Sequence, residues 1–172
     1  IVKYPRWKQD IEGIGGSGIF PIVWKFYDPK APFHGNTINY NGTRDIFLFR
    51  LAETYLIAAE AYNKLNRNDR AAERLNSVRR RAATTGNEAA MEVNSSDVTV
   101  DLILDERARE LVGEYKRWMD LKRTGKLIER TLLYNNLAKK ANKIDSHCLL
   151  RPIPQSVRDQ DSGEFPQNPG YN

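Results

Sequence analysis

Three features of the chain predict a mainly α-helical fold. Apolar residues recur at alternating steps of four and three between residues 50 and 140, which places them along one side of a helix. No proline occurs from Phe33 to Arg151, so nothing in that stretch removes a helical hydrogen bond. Proline, glycine and short polar turns return at both ends. The chain therefore divides into a loop-rich, aromatic-rich segment over 1–47, a helical block over 48–140 and an irregular, wrapping C-terminal tail over 141–172. Its 172 residues are enough for one domain with a core and short for two, so a single domain over 1–172 is expected.

Residues 1–47 hold 9 of the 17 aromatic residues, 6 of the 11 glycines and 4 of the 8 prolines, which predicts loops and short extended pieces carrying rings. Ile19–Tyr27 has β-branched and aromatic character, but Pro21 interrupts it and suits it to an edge strand. Gly13, Gly15 and Gly18 match the spacing of a dinucleotide-binding loop. That chemistry needs a strand before the loop and a helix N-terminus after it, and neither is indicated, so a flexible loop is the better reading.

Arg50–Ala83 is the organising stretch. Leu51, Tyr55, Ala58, Tyr62 and Leu65 form one apolar stripe, and Leu48, Ala52, Leu56 and Ala59 form a second row beside it. Asn66–Asp69 is a polar turn, with Asn68 placed to cap the next helix, which carries Ala71, Leu75, Val78 and Ala82 on one face. Two helices and a tight turn in about 34 residues fit a tetratricopeptide-like hairpin, small residues standing where the helices approach.

After a polar loop over 84–99, Val100–Arg123 is predicted as one long helix with Leu104, Ala108, Leu111, Tyr115 and Trp118 inward. Thr99 or Asp101 is placed to cap it, Asp105 and Arg109 to pair on its surface, and Gly125 to stop it. Lys126–Lys140 follows as a further helix with Leu127, Thr131 and Tyr134 inward. The tail returns to proline, and its Asn168-Pro169-Gly170 reads as a turn that locks the chain back on itself, with Tyr171 buried.

Composition narrows the chemistry. Hydrophobic content of 40% and charged content of 28% are ordinary for a globular protein. No apolar run reaches the roughly 18 residues of a membrane span, and no signal peptide or N-terminal cysteine is present, so the chain by itself is expected to be soluble. Cys148 is the single cysteine and has no intrachain partner to oxidise with. The net charge of +5 includes the run Arg79-Arg80-Arg81, which sits at the end of a helix and reads as a solvated terminus, so no nucleic acid partner is expected. His34 and His147 lie far apart in the chain and outside any metal-ligand spacing, and no nucleophile elbow or phosphate loop is present. Glu53, Glu60, Glu106 and Glu110 lie in helices without the Glu-x-x-His pair of a di-iron site, and Glu53 and Glu60 read as structural carboxylates. No enzyme activity, metal or cofactor is expected.

The ordered blocks RLAETYLIAAEAYNKL, LNSVRRRA and DERARELVGEYKRWMDLKRTGKL, followed by LLRPIP and FPQNPGYN, resemble the C-terminal region of the SusD/RagB family. The resemblance covers roughly Tyr40 to Asn172. It implies a glycan-binding component of an outer-membrane polysaccharide uptake system, surface-exposed and lipid-anchored in the full-length protein. The anchor would lie in an N-terminal part absent from this chain. It also implies two partners, an oligosaccharide or polysaccharide and a SusC-like TonB-dependent transporter. The residues for sugar stacking would come from the ring-rich segment: Trp7, Trp24, Tyr27 and Tyr40, with His34 as a polar helper. The alternative is a tetratricopeptide-type protein-interaction module without sugar binding.

Overall fold

The structure, a computed structural model, describes Lys25 and residues 45–171. The chain forms two compact units, Ile1–Leu48 and Phe49–Asn172. Of the first, Lys25 and the solvent-exposed residues 45–48 are described. The second contains α1 (Leu51–Lys64), α2 (Asn68–Ala82), α3 (Val100–Glu110), α4 (Arg117–Arg123), α5 (Leu127–Tyr134), α6 (Asn136–Ala141) and α7 (Gln155–Arg158). Short 3-10 turns lie at Ala89–Met91, Ser95–Asp97 and Ser146–Leu149, and no strand occurs among the described residues.

The expected hairpin is present. α1 and α2 pack along each other, and a link of only three residues, 65–67, obliges them to run antiparallel. Asn66 takes a left-handed conformation (φ 56°), which lets its N–H reach the Asn63 carbonyl at 3.0 Å and the Arg67 N–H reach Tyr62 at 2.9 Å. Asn68 does not cap α2, because its backbone is already helical. Its amide accepts from Asn63 Nδ2 at 2.9 Å and donates to the Val98 carbonyl at 3.4 Å, tying the turn to the loop before α3.

The core lies on the row of α1 that was second in the sequence. Ala52, Leu56 and Ala59 are buried against Ala71, Ala72, Leu75 and Val78 of α2, with Val98, Ile103 and Leu111 completing the cluster. The more regular stripe runs along the margin: Leu51 and Leu65 are 69% and 66% exposed, and Tyr55 and Tyr62 cover the edge. Leu48, which the sequence groups with this row, is exposed. Close approach explains the choice, since alanines on both helices let the backbones come together where tyrosines would hold them apart.

The long helix predicted over Val100–Arg123 is two helices. Thr99 Oγ1 caps α3 as expected, accepting from the Leu102 N–H at 3.1 Å. The break comes at residues 111–116, where Gly113 (φ 78°) and Tyr115 (φ 58°) are both left-handed. Arg50 supplies the reason: its guanidinium donates to the Glu110 carbonyl at 2.5 Å and to the Glu114 carboxylate at 2.8 Å, taking the acceptor that a continuing helix would use. Tyr115 and Trp118 are thereby turned outward, 94% and 40% exposed, against the expectation that they continue the inner stripe. Asp105 and Arg109 do not pair with each other, for Arg130 takes Asp105 and Glu106 takes Arg109.

Gly125 ends α4 at φ 71°, as expected. The predicted helix over Lys126–Lys140 also divides, at Asn135, whose side chain accepts from the Ala138 N–H at 3.0 Å and caps α6. Leu127 is buried with Leu104 and Leu121 in a second small cluster, against which Leu149 of the tail packs, while Tyr134 is exposed. The tail is closed on itself. Gln167 brackets the Ile153 backbone with bonds of 2.7 and 2.9 Å, Asn168 donates to the Arg151 carbonyl at 2.7 Å, and the half-buried Tyr171 donates to Leu150 at 2.8 Å.

Candidate functional site

Trp7, Trp24, Tyr27, His34 and Tyr40 all lie outside the described residues. Among the described residues of the second unit, a groove of about 550 Å³ lies between α1 and α4. Its rim is apolar, made by Phe49, Ile57, Ala61 and Met119, and its floor is ionic. None of these residues was singled out in the sequence as a ligand contact. The available signal was the pair Glu53 and Glu60, two turns apart and both beside the inner row of α1.

Apart from Lys64, which pairs within α1, each charge on the floor is held by a partner from another element. Arg107 of α3 is 3% exposed and donates from Nε to Asp120 of α4 at 2.7 Å, with Glu53 of α1 at 3.5 Å on its other side. Lys116 lies 3.4 Å from Glu53 and stands 4.0 Å over the Phe49 ring, joining the floor to the rim. Arg123 grips both oxygens of Glu60, at 2.5 and 2.7 Å, and reaches Asp120 at 2.9 Å. Lys64 completes the set 3.1 Å from Glu60. Three helices are thus joined by alternating carboxylates and cations in a setting where an unpaired charge would be costly.

The chemistry follows from this pairing. The hydrogen bond from Arg123, with Lys64 beside it, holds the Glu60 carboxyl below its ordinary value, and the same bond raises the Arg123 guanidinium further. A carboxylate gripped this way is a poor general base, so Glu60 is a structural group, as the sequence suggested, and Glu106 likewise accepts from Arg79 at 2.5 Å. Lining cations outnumber lining carboxylates, four (Lys64, Arg107, Lys116, Arg123) to three (Glu53, Glu60, Asp120), which disfavours a bound metal cation. The groove offers polar groups beneath an apolar lip, the composition of a contact surface.

Because the folded state lowers the Glu60 value, the pair's stabilisation is complete above the unfolded carboxyl value of 4.5 and is lost as pH falls through the folded one. Thermal melts of the wild type and Glu60→Gln are therefore expected to differ most near neutral pH and to converge in acid. A gap that stays constant down to pH 3 contradicts the assignment.

The run Arg79-Arg80-Arg81 is only partly the solvated terminus expected. Arg80 and Arg81 are 45% and 62% exposed, but Arg79 is 17% exposed and ties α2 to Glu106 and to the Met91 carbonyl. No helix among the described residues is long and apolar enough to cross a membrane.

Comparison with known proteins completes the picture. The SusD family model matches residues 20–171. SusD-like protein P2 of Formosa agariphila is 33% identical over 156 residues, covering 88% of this chain and 30% of that protein. SusD-like protein P25 of the same organism is 36% identical over 137 residues, covering 78% and 25%. The starch-binding protein SusD of Bacteroides thetaiotaomicron is 32% identical over 172 residues, covering 96% and 29%. The chain thus spans between a quarter and a third of the length of these relatives. No solved structure matches it. With the family pattern running from the ring-rich segment through the hairpin to the last turn of the tail, this chain belongs to the SusD family.

Proposed function

We propose that this protein is a non-catalytic, glycan-binding component of an outer-membrane polysaccharide uptake system. In this reading it works at the cell surface, anchored by lipid in the full-length form, and passes oligosaccharide to a SusC-like TonB-dependent transporter. The observation that carries the proposal is family membership over residues 20–171, together with a relative named as a starch-binding protein. Trp7, Trp24, Tyr27 and Tyr40 supply flat rings to the apolar faces of sugars, and His34 bonds a hydroxyl. The hairpin is held by its alanine-lined core and by the ionic floor of the groove.

Affinity electrophoresis in gels containing polysaccharide tests the ring assignment. Each stacking ring contributes about 1 kcal/mol, so Trp7→Ala with Trp24→Ala is expected to weaken retention about thirtyfold. Retention equal to wild type removes these rings from the site. The interaction-module alternative draws on the exposed Phe49, Ile57 and Met119 around the groove. Docking to the transporter is tested by charge reversal at Arg80 and Arg81 with a pull-down; Arg79 is unsuitable, because it is part of the scaffold.

A further inference from the structure

The tail carries an arrangement that glycan binding does not use. Asp145 begins the 3-10 turn Ser146–Leu149, and its Oδ1 accepts from the His147 backbone N–H at 2.8 Å. The same oxygen lies 2.5 Å from His147 Nδ1. A carboxylate only accepts, so in the neutral ring Nδ1 carries the proton and Nε2 keeps its lone pair. Cys148 Sγ sits 3.4 Å from that Nε2. Carboxylate, imidazole and thiol therefore stand in line, with the base facing the sulfur.

The ring is held in this position from the other side. Tyr171 packs edge-on against it, with centroids 5.2 Å apart and planes at 74°. Gly170 (φ 87°) passes so near that a Cβ there would come within 2.6 Å of the His147 Cβ, which only glycine tolerates. Asp145, Cys148 and Tyr171 are the titratable groups against the imidazole among the described residues. Cys148 and His147 are both half-buried, and the His147 side chain keeps 29% of its surface exposed. The thiol also faces the Lys143 carbonyl, at the longer distance of 3.7 Å.

We propose that Cys148 is a base-assisted reactive thiol that exchanges with low-molecular-weight disulfides. Sγ attacks one sulfur of the disulfide as its proton passes to His147 Nε2, and Asp145 balances the imidazolium charge. A new sulfur–sulfur bond forms at Cys148, the disulfide's own bond breaks, and the departing thiolate takes the proton from His147. The protein thiol is oxidised to a mixed disulfide and one half of the reagent is reduced to a thiol, so electrons and protons balance. An external thiol reverses the exchange.

The test is the rate of thiopyridone release from dithiodipyridine, followed by absorbance near neutral pH. Native protein is expected to react about tenfold faster than the same protein unfolded in urea, a comparison that needs no variant. His147→Gln should lose this advantage while its circular dichroism is unchanged. Asp145→Asn should fall between the two, and Cys148→Ser should release nothing. Native protein reacting no faster than unfolded, or His147→Gln matching the wild type, overturns the proposal.

Discussion

Leu56→Ala is expected to destabilise the protein by about 3 kcal/mol, read as a lower urea midpoint with an unchanged slope. Leu56 is fully buried, and it faces small neighbours on both sides, with Ala52 and Ala59 on its own helix and Ala71 and Ala72 across from it. Alanine methyls have no rotamer that could swing into the space, so the cavity stays open and the loss falls with the transfer and cavity contributions together. Leu51→Ala, five positions away on the exposed margin, is the internal control and should cost less than about 0.5 kcal/mol. Equal losses at the two positions would mean that α1 buries its other stripe.

The second large effect is expected at Arg107. Arg107→Met removes the guanidinium from between Asp120 and Glu53 and should cost about 3 kcal/mol, since two buried carboxylates lose a counter-charge. The loss lies toward the low end for a broken buried pair, because Asp120 keeps Arg123 at 2.9 Å and Glu53 keeps Lys116 at 3.4 Å. Arg107→Met combined with Asp120→Leu should recover part of it, as an apolar pair of similar volume leaves less charge stranded. Urea titration checks both variants. A double variant less stable than the sum of its single changes would contradict the pairing.

The hairpin was legible in the sequence because alternation of four and three is a local property, and α1 and α2 obey it. Which of two adjacent rows faces inward was not legible, since alanine looks weakly apolar until a second alanine-lined helix lies against it. The break between α3 and α4 was hidden for a different reason. Leu111, Tyr115 and Trp118 continue the helical spacing across it, and the group that ends the helix, Arg50, is 60 positions away. The ionic groove was illegible on the same account: Glu60 finds its arginine 63 positions along the chain. Periodicity reports which side of an element is apolar, and it carries no information about which distant guanidinium meets a given carboxylate. The proposed sugar-binding rings, Trp7, Trp24, Tyr27 and Tyr40, rest on family kinship and on the ring-rich composition of 1–47.

A glycan array probed with the purified protein, run beside a peptide array, bears most directly on the proposed role. Binding to a restricted set of oligosaccharides, absent from the peptide panel, is the result expected of a surface carbohydrate receptor. Strong peptide signals with every saccharide blank would contradict it and leave the helical pairs as a protein-docking scaffold.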